Sequence, residues 1–379
     1  MCAVLIEKLP EMVYNFIMAN LDYLTEMRRA LHKLAEPSEQ EARTSDFIFA
    51  RLKEMGYKPR RIHTGVVCEA KGKRPHTIAL RADMDALPLV EKNCPFKAEG
   101  GYMHACGHDG HMAMLLSAAK AAASVRPEHT VRFLFQFGEE GGHGGAEKMI
   151  EGGAIEGVDE IYALHLCPEL PIGSVASGDG ALFAGDVAFD IVFTGKSSHC
   201  ADKAEGRDAL AAAVHFYEKA QGVNADCKNN TLFHIGKLEG GTVRSSVAAS
   251  ATAHCTLRYF DSAHVDTLMM RLERMALEAD DFAGTEHRVL VRSVYPPLVN
   301  SPQALQAVRR VWQVEEAKPR FTGEDFAFYL QKIKGAMLWL GCRDERHASP
   351  LHSDTFGFDE KALIPGAELY EKLIFSNEE

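Results

Sequence analysis

The chain has 379 residues, enough for one large domain or two, and its 46% apolar and 25% charged content is that of an ordinary globular protein. A formal net charge of −11, with no basic block or basic-aromatic stripe, argues against a nucleic-acid partner. Nine cysteines, odd in number and without a CxxC pair, argue against a disulfide scaffold and for a reducing compartment.

The N-terminal "MCAVLIEKLPEMVYNF" has early charges and lacks the basic start and long apolar core of a signal peptide. No run of about eighteen apolar residues suggests a membrane span, so a cytoplasmic location is expected. Residues 11–56 read as two helices around "AEPSEQEART", the second carrying Phe47, Phe49 and Leu52 on a charged background and ending near Gly56. "HTIALRADMDALPL" begins as an apolar strand and runs into acids, the profile of a buried strand with polar side chains at its C-terminal end. "YMHACGHDGHMA" packs histidines, a cysteine and an aspartate between glycines, and "GHMAMLLSAAKAAAS" continues as a buried helix. "TVRFLFQFGEEGG" is a strand with an acidic end, and "EIYALHLCP" a strand with His165 at its end. Strand–helix alternation with chemistry gathered at strand ends predicts an α/β domain with a mainly parallel sheet.

The texture changes near residue 185. From "GDVAFDIVFTG" to "EHRVLVRSVYP" the order is β-α-β-β-α-β, the split βαβ pattern. Pro296–Pro297 closes it. A helix with Leu305, Val308, Val311 and Trp312 on its packing face follows. The expected layout is a small domain at 185–296 inserted into a larger one made of 1–184 and 297–379.

Cys106, His108, Glu139, Glu140, His165 and His352 are Lewis bases at expected strand ends and loops, and a divalent-metal site needs several such groups held together. The zincin HExxH layout is absent. If the segment is extended, the step from Cys106 to His108 places both side chains at one site. In the adjacent pair Glu139–Glu140, one carboxylate can bind metal while the other accepts a proton. Blander readings stand beside these. Cys106 can be a small buried residue, His104 and His111 structural, and the glutamates solvated. "GEEGGHGG" lacks the Lys-Ser/Thr ending and the GxGxxG spacing of a nucleotide loop.

The segments "LRADMDALPL", "MHACGHDGHMAMLL", "FLFQFGEEGGHGGAEKMI", "ALHLCPELPIG" and "PLHSDTFGFDE" together resemble the M20 family of metal-dependent aminoacylases and carboxypeptidases. The likeness is greatest to the branch of hippurate hydrolases, auxin-conjugate hydrolases and N-acetyldiaminopimelate deacetylases, and "ALFAG" and "TGEDFAFYL" lean toward the last group. The resemblance implies a catalytic domain interrupted by a lid that often dimerises, and two divalent metal ions per subunit, whether zinc, manganese, cobalt or nickel. It implies Cys106 as a bridging ligand, His108, Glu140, His165 and His352 as the other ligands, Glu139 as general base and Asp83 as a supporting carboxylate. Asp109 is read as supporting the shell without a catalytic step. In the lid, His199 would stabilise an oxyanion in a neighbouring subunit's site. Arg258, with Arg244 as a weaker candidate, would meet the substrate carboxylate, and backbone donors at Gly323 would help.

The implied reaction is removal of an N-acyl, foremost N-acetyl, group from an L-amino acid by metal-activated water. A dipeptidase or carboxypeptidase of the same family is the alternative, followed by a non-catalytic binding protein. Three departures bear on the substrate. Lys203–Ala204 replaces a Pro-His pair. Ser245-Ser246-Val247-Ala248 replaces Asn-Val-Ile-Pro, which leaves Ser245 at a substrate-holding asparagine's position. Cys255 stands at a usual glycine.

Overall fold

The computed structural model describes residues 20–92, 94–142, 144–223 and 230–376. The part of the first expected helix at 11–19 lies outside them. Helix α1 (Leu21–His32) is capped by the Asn20 side chain, which accepts a hydrogen bond from the Tyr23 amide. Its buried stripe is Leu24, Met27 and Leu31, together with Arg28 and His32, two cationic side chains inside the apolar face. Helix α2 (Ala42–Glu54) buries Thr44, Ser45, Ile48 and Leu52. Phe47 and Phe49 are only half-buried, because Ile48 and Leu52 at i, i+4 define the inner face.

Strands β1 (Arg60–Ile62), β2 (Gly65–Ala70) and β3 (Arg74–Asp83) precede helix α3 (His108–Ser124). Strand β4 (His129–Gln136), helix α4 (Gly145–Glu151), β5 (Glu160–Pro171) and β6 (Val175–Ser177) follow. Next come β7 (Gly185–Thr194), α5 (Ala209–Ala220), β8 (Thr231–Gly240), β9 (Ser250–Tyr259), α6 (Val265–Ala283) and β10 (Glu286–Tyr295). The chain ends with α7 (Pro302–Val311), β11 (Glu315–Glu316), β12 (Lys334–Arg343) and α8 (Leu363–Phe375).

The chain forms two compact units. The larger comprises the chain up to Gly180, Val299–Lys318 and the chain from Phe328. Its eight-stranded sheet has the order β1-β2-β4-β3-β5-β12-β6-β11. The central strands β4, β3, β5 and β12 run parallel, while β1–β2, β2–β4 and β12–β6 pair antiparallel. Central parallel strands are covered on both faces, hence the continuous apolar run Ile78–Leu80 in β3.

The smaller unit comprises Ala181–Leu298 and also Pro319–Ala327, a segment that the sequence pattern leaves with the larger domain. The Ala184 amide donates to the Arg320 and Thr322 carbonyls, and Phe321 packs on Phe260 at 4.7 Å between ring centroids. Its antiparallel sheet has the order β10-β7-β9-β8, with a core that includes Phe189, Phe193, Phe216 and Leu272.

Two local features differ from expectation. His165 lies inside β5, which continues to Pro171 through its pairing with β12. Pairing with β3 stops at Ala163, so His165 stands just past the last β3 rung. The Cys106–His108 step is a turn, not an extended segment: Gly107 is left-handed at φ +89° and caps α3. A Cβ on Gly107 would lie 2.8 Å from Leu166, and one on Gly110 would lie 2.9 Å from both Leu363 and Phe358. The glycines therefore bring α3 against β5 and α8. Among the described residues, no helix is long and apolar enough to cross a membrane.

Glu371 on α8 is buried, and burial, aided by Glu368, pushes its carboxyl up to about 8 from an ordinary 4.5. A raised folded-state pKa stabilises fully below the unfolded value and loses that contribution as pH rises through the folded one. Glu371→Gln should therefore raise the urea midpoint at pH 8 and barely change it at pH 4.5. The expected gain at the higher pH is about 1–3 kcal/mol, and an equal effect at both pH values would contradict it.

Candidate metal centre

Strand β3 ends on a fully buried carboxylate. Asp83 Oδ2 accepts from Arg81 at 2.8 Å, and Arg81 Nε donates to Gln136 Oε1 at 2.9 Å on the neighbouring β4 rung. Asp83 Oδ1 lies 2.7 Å from His111 Nδ1. His111 Nε2 accepts from the Leu166 amide at 3.0 Å, so the ring proton sits on Nδ1 and is donated to Asp83. Burial alone would raise the Asp83 pKa, but His108, His111 and Arg81 hold it well below the usual carboxylate range.

Around this anchor the donors converge. His108 Nδ1 donates to the Asp85 carbonyl at 2.9 Å, and His165 Nδ1 to the Leu166 carbonyl at 2.8 Å. Each ring therefore presents Nε2 to the site, as a ligating imidazole does. His165 Nε2 is 3.4 Å from Cys106 Sγ. His108 Nε2 is 4.0 Å from Glu139 Oε2, 3.9 Å from Glu140 Oε1 and 3.7 Å from Asp83 Oδ2. His352 Nε2 is 3.4 Å from Glu140 Oε1. His352 is one of the non-glycine residues with positive φ, at 62°, and its amide is tied to the Ala105 carbonyl at 2.9 Å. Cys106, His108 and His165 have donor atoms within 4.8 Å of one another, as do Cys106, Glu140 and His352, and His108, Glu139 and Glu140. Cys106 is shared by the first two groups.

The donor chemistry fits divalent cations. His108 Nε2 and Glu140 Oε1 are buried and make no hydrogen bond among the described residues. A buried polar atom left so costs about 1–3 kcal/mol, more when charged. Burial would discharge His108, yet Asp83, Asp85 and Glu140 outweigh it and push its pKa up to about 10. Burial, with His111 beside it, holds His165 well below its usual value and so neutral. The Glu140 carboxylate beside it raises His352. The site thus attracts positive charge at one imidazole and offers a lone pair at another.

Asp85 escaped the sequence reading. It is fully buried, accepts from Ser38 Oγ and from the Glu140 amide, and its carbonyl also meets His104 Nδ1 at 3.1 Å. Its signal was the Asp-x-Asp alternation in "RADMDAL". His111, given a structural alternative from sequence, links Asp83 to β5. Asp109 is held by Arg28 at 3.1 Å and His32 at 2.9 Å.

The remaining candidates lie in the smaller unit. Arg258 pairs with Asp186 at 3.2 Å, and a Cβ on Gly323 would come 2.9 Å from its guanidinium, so the glycine makes room for that group. His199 is exposed, and its Nδ1 accepts from the Ala201 amide at 3.2 Å. It bridges Ser246, while the Ser245 carbonyl accepts from the Cys200 amide at 2.9 Å. Arg244 is exposed on the same loop. Cys255 is buried in the core of this unit.

The family model for peptidase family M20/M25/M40 matches residues 79–376. The chain is 33% identical over 359 residues to an N-acetyldiaminopimelate deacetylase of Lactococcus lactis subsp. cremoris, covering 90% of this chain and 94% of that one. It is 35% identical over 363 residues to the N-acetyldiaminopimelate deacetylase of Streptococcus sanguinis, covering 90% and 95%. Its fold matches a dinuclear metal-binding peptidase of the M20 family from Bacillus subtilis with a TM-score of 0.81, at 31% identity over 93% of this chain and 98% of that one.

Cation affinity should rise with pH up to about 10, by roughly tenfold per unit for each proton displaced, because His108 must lose its proton to ligate. Zinc competition against a chelator at several pH values measures this, and a flat profile would contradict it. Cys106→Ser should weaken binding ~10-fold or more, whereas unchanged affinity and stoichiometry would remove the thiolate from the centre.

Proposed function

The chain belongs to peptidase family M20/M25/M40, a family of metal-dependent amidohydrolases, and we propose that it removes the acyl group, foremost acetyl, from an N-acyl-L-amino acid. The observation that carries this reading is the convergence of the buried Cys106, His108 and His165 with the part-buried Glu140 and the exposed His352 on one centre, with Glu139 beside it. In the proposed assignment those five residues would hold two divalent ions, and Cys106, common to two of the donor groups, would serve both. A thiolate suits zinc, cobalt or nickel, and manganese completes the candidate set. Bound there, the ions supply Lewis acidity toward the acyl carbonyl and toward water.

The chain's own residues supply the rest. Glu139 accepts a proton from the attacking water and delivers it to the departing nitrogen, so that one carboxylate serves both half-reactions. Asp83 fixes His111 and Arg81, and the Asp85 backbone and side chain orient His108 and the Glu140 loop. We assign Arg258 and the Gly323 backbone to the substrate carboxylate, with Ser245 and Arg244 as neighbouring contacts, and His199 to the developing oxyanion. In this reading residues 1–184 and 297–379, apart from Pro319–Ala327, form the catalytic domain, and 185–296 with that segment form a lid through which the chain makes a homodimer in the cytoplasm. N-acetyldiaminopimelate is the favoured substrate because relatives at 33–35% identity over 84–90% of the chain bear that activity in their names.

Glu139→Gln should lower kcat by roughly 10²–10⁴-fold with metal content unchanged. Retained turnover would exclude the general-base assignment. A metal-reconstituted panel of N-acetyl-L,L-diaminopimelate, N-acetylcysteine, other N-acetyl amino acids and dipeptides tests the substrate. Preference for dipeptides would favour the peptidase reading, and absence of turnover with every metal would favour a binding protein.

A further inference from the structure

A second group of metal-type donors lies beside α1, outside the donor set described above. His32, Glu91 and Cys94 bring an imidazole nitrogen, a carboxylate oxygen and a sulfur within 4.8 Å of one another. His32 Nε2 is 2.8 Å from Glu91 Oε2 and 3.8 Å from Cys94 Sγ. The opposite nitrogen, Nδ1, is 2.9 Å from Asp109 Oδ2, and Arg28 Nε donates to that same oxygen at 3.1 Å. An imidazole fixed by a carboxylate through one nitrogen, with sulfur and oxygen facing the other, is the carboxylate–histidine–metal arrangement.

Ion pairing explains the contacts of His32 with Glu91 and Asp109. It does not explain why Cys94 approaches the same nitrogen as Glu91. Nearby, Asp109 Oδ1 and His104 Nε2 are buried without a hydrogen-bond partner among the described residues, and the His104 ring centroid is 6.1 Å from that of His32. His32 and Glu91 are buried and Cys94 is half-buried, which leaves a route from solvent.

We propose that His32, Glu91 and Cys94 bind a divalent cation of the zinc class, with Asp109 positioning the imidazole. The exchange is geometrically direct: an entering divalent cation would take the place of the proton between His32 Nε2 and Glu91 Oε2 and of the thiol proton of Cys94, since all three donor atoms face one point. The ion would tie Glu91 and Cys94 to α1 and, through Asp109, to the first turn of α3, where Asp109 follows His108.

The test uses the full chain stripped with a chelator and then supplied with zinc or cadmium. Alkylation of Cys94, followed by peptide mass spectrometry, should slow ~10-fold or more when the metal is added. Glu91→Gln should relieve that protection, and Cys106→Ser should retain it, which separates this site from the dinuclear centre. Cys94→Ser should bind about one metal equivalent fewer per chain than the wild type. Cys94 alkylation unaffected by either metal, or equal metal content in wild type and Cys94→Ser, would overturn the proposal.

Discussion

The structure depends on concentrated buried negative charge. Asp83, Asp85 and Asp109 are almost fully enclosed at the end of β3 and the start of α3, with Glu140 close by. Carboxylates stay ionised in such a place only when positive charge and hydrogen bonds surround them. The protein supplies Arg81 to Asp83, Arg28 and His32 to Asp109, and imidazole donors to Asp83 and Asp85. That supply leaves His108 Nε2 and Glu140 Oε1 without hydrogen bonds among the described residues. Divalent cations are the natural completion of this pattern, because they satisfy lone pairs and charge together.

The scaffold explains why the donors can be held so closely. Central parallel strands end at one side of the sheet and deliver Asp83 and the Glu139–Glu140 loop there. Helix α3 approaches β5 and α8 closely because Gly107 and Gly110 carry no Cβ, and its first turn presents His108, Asp109 and His111 on successive faces. Backbone carbonyls of Asp85 and Leu166 then orient the rings of His108 and His165. Much of the site's precision thus comes from main-chain groups, which have no residue-type signature.

Legibility from sequence followed the range of the interaction involved. The β-α-β-β-α-β order and the buried strands are written in local hydrophobic periodicity, and both appear in the structure. In α2 the sequence singles out Phe47, Phe49 and Leu52 as the apolar residues, but the helical spacing of Ile48 and Leu52 sets the buried face. His165 was placed at a strand end because the apolar run breaks there, yet pairing with β12 carries the strand onward. Pro319–Ala327 joins the smaller unit through Phe321 on Phe260 and the Ala184 amide, contacts between residues distant in the chain.

By itself the sequence determined the donor types, their order and the family, because motifs such as "MHACGHDGHMA" and "FGEEGG" are local and chemically unusual. Only the tertiary structure decided which nitrogen of each histidine faces the centre, that Asp85 supports it, and that His32 meets both Glu91 and Cys94. The physical reason is that ring orientation and carboxylate pairing are set by long-range hydrogen bonds inside a buried environment. Such bonds join β3, α1, α3 and β5 across many tens of residues, and no spacing within one segment encodes them.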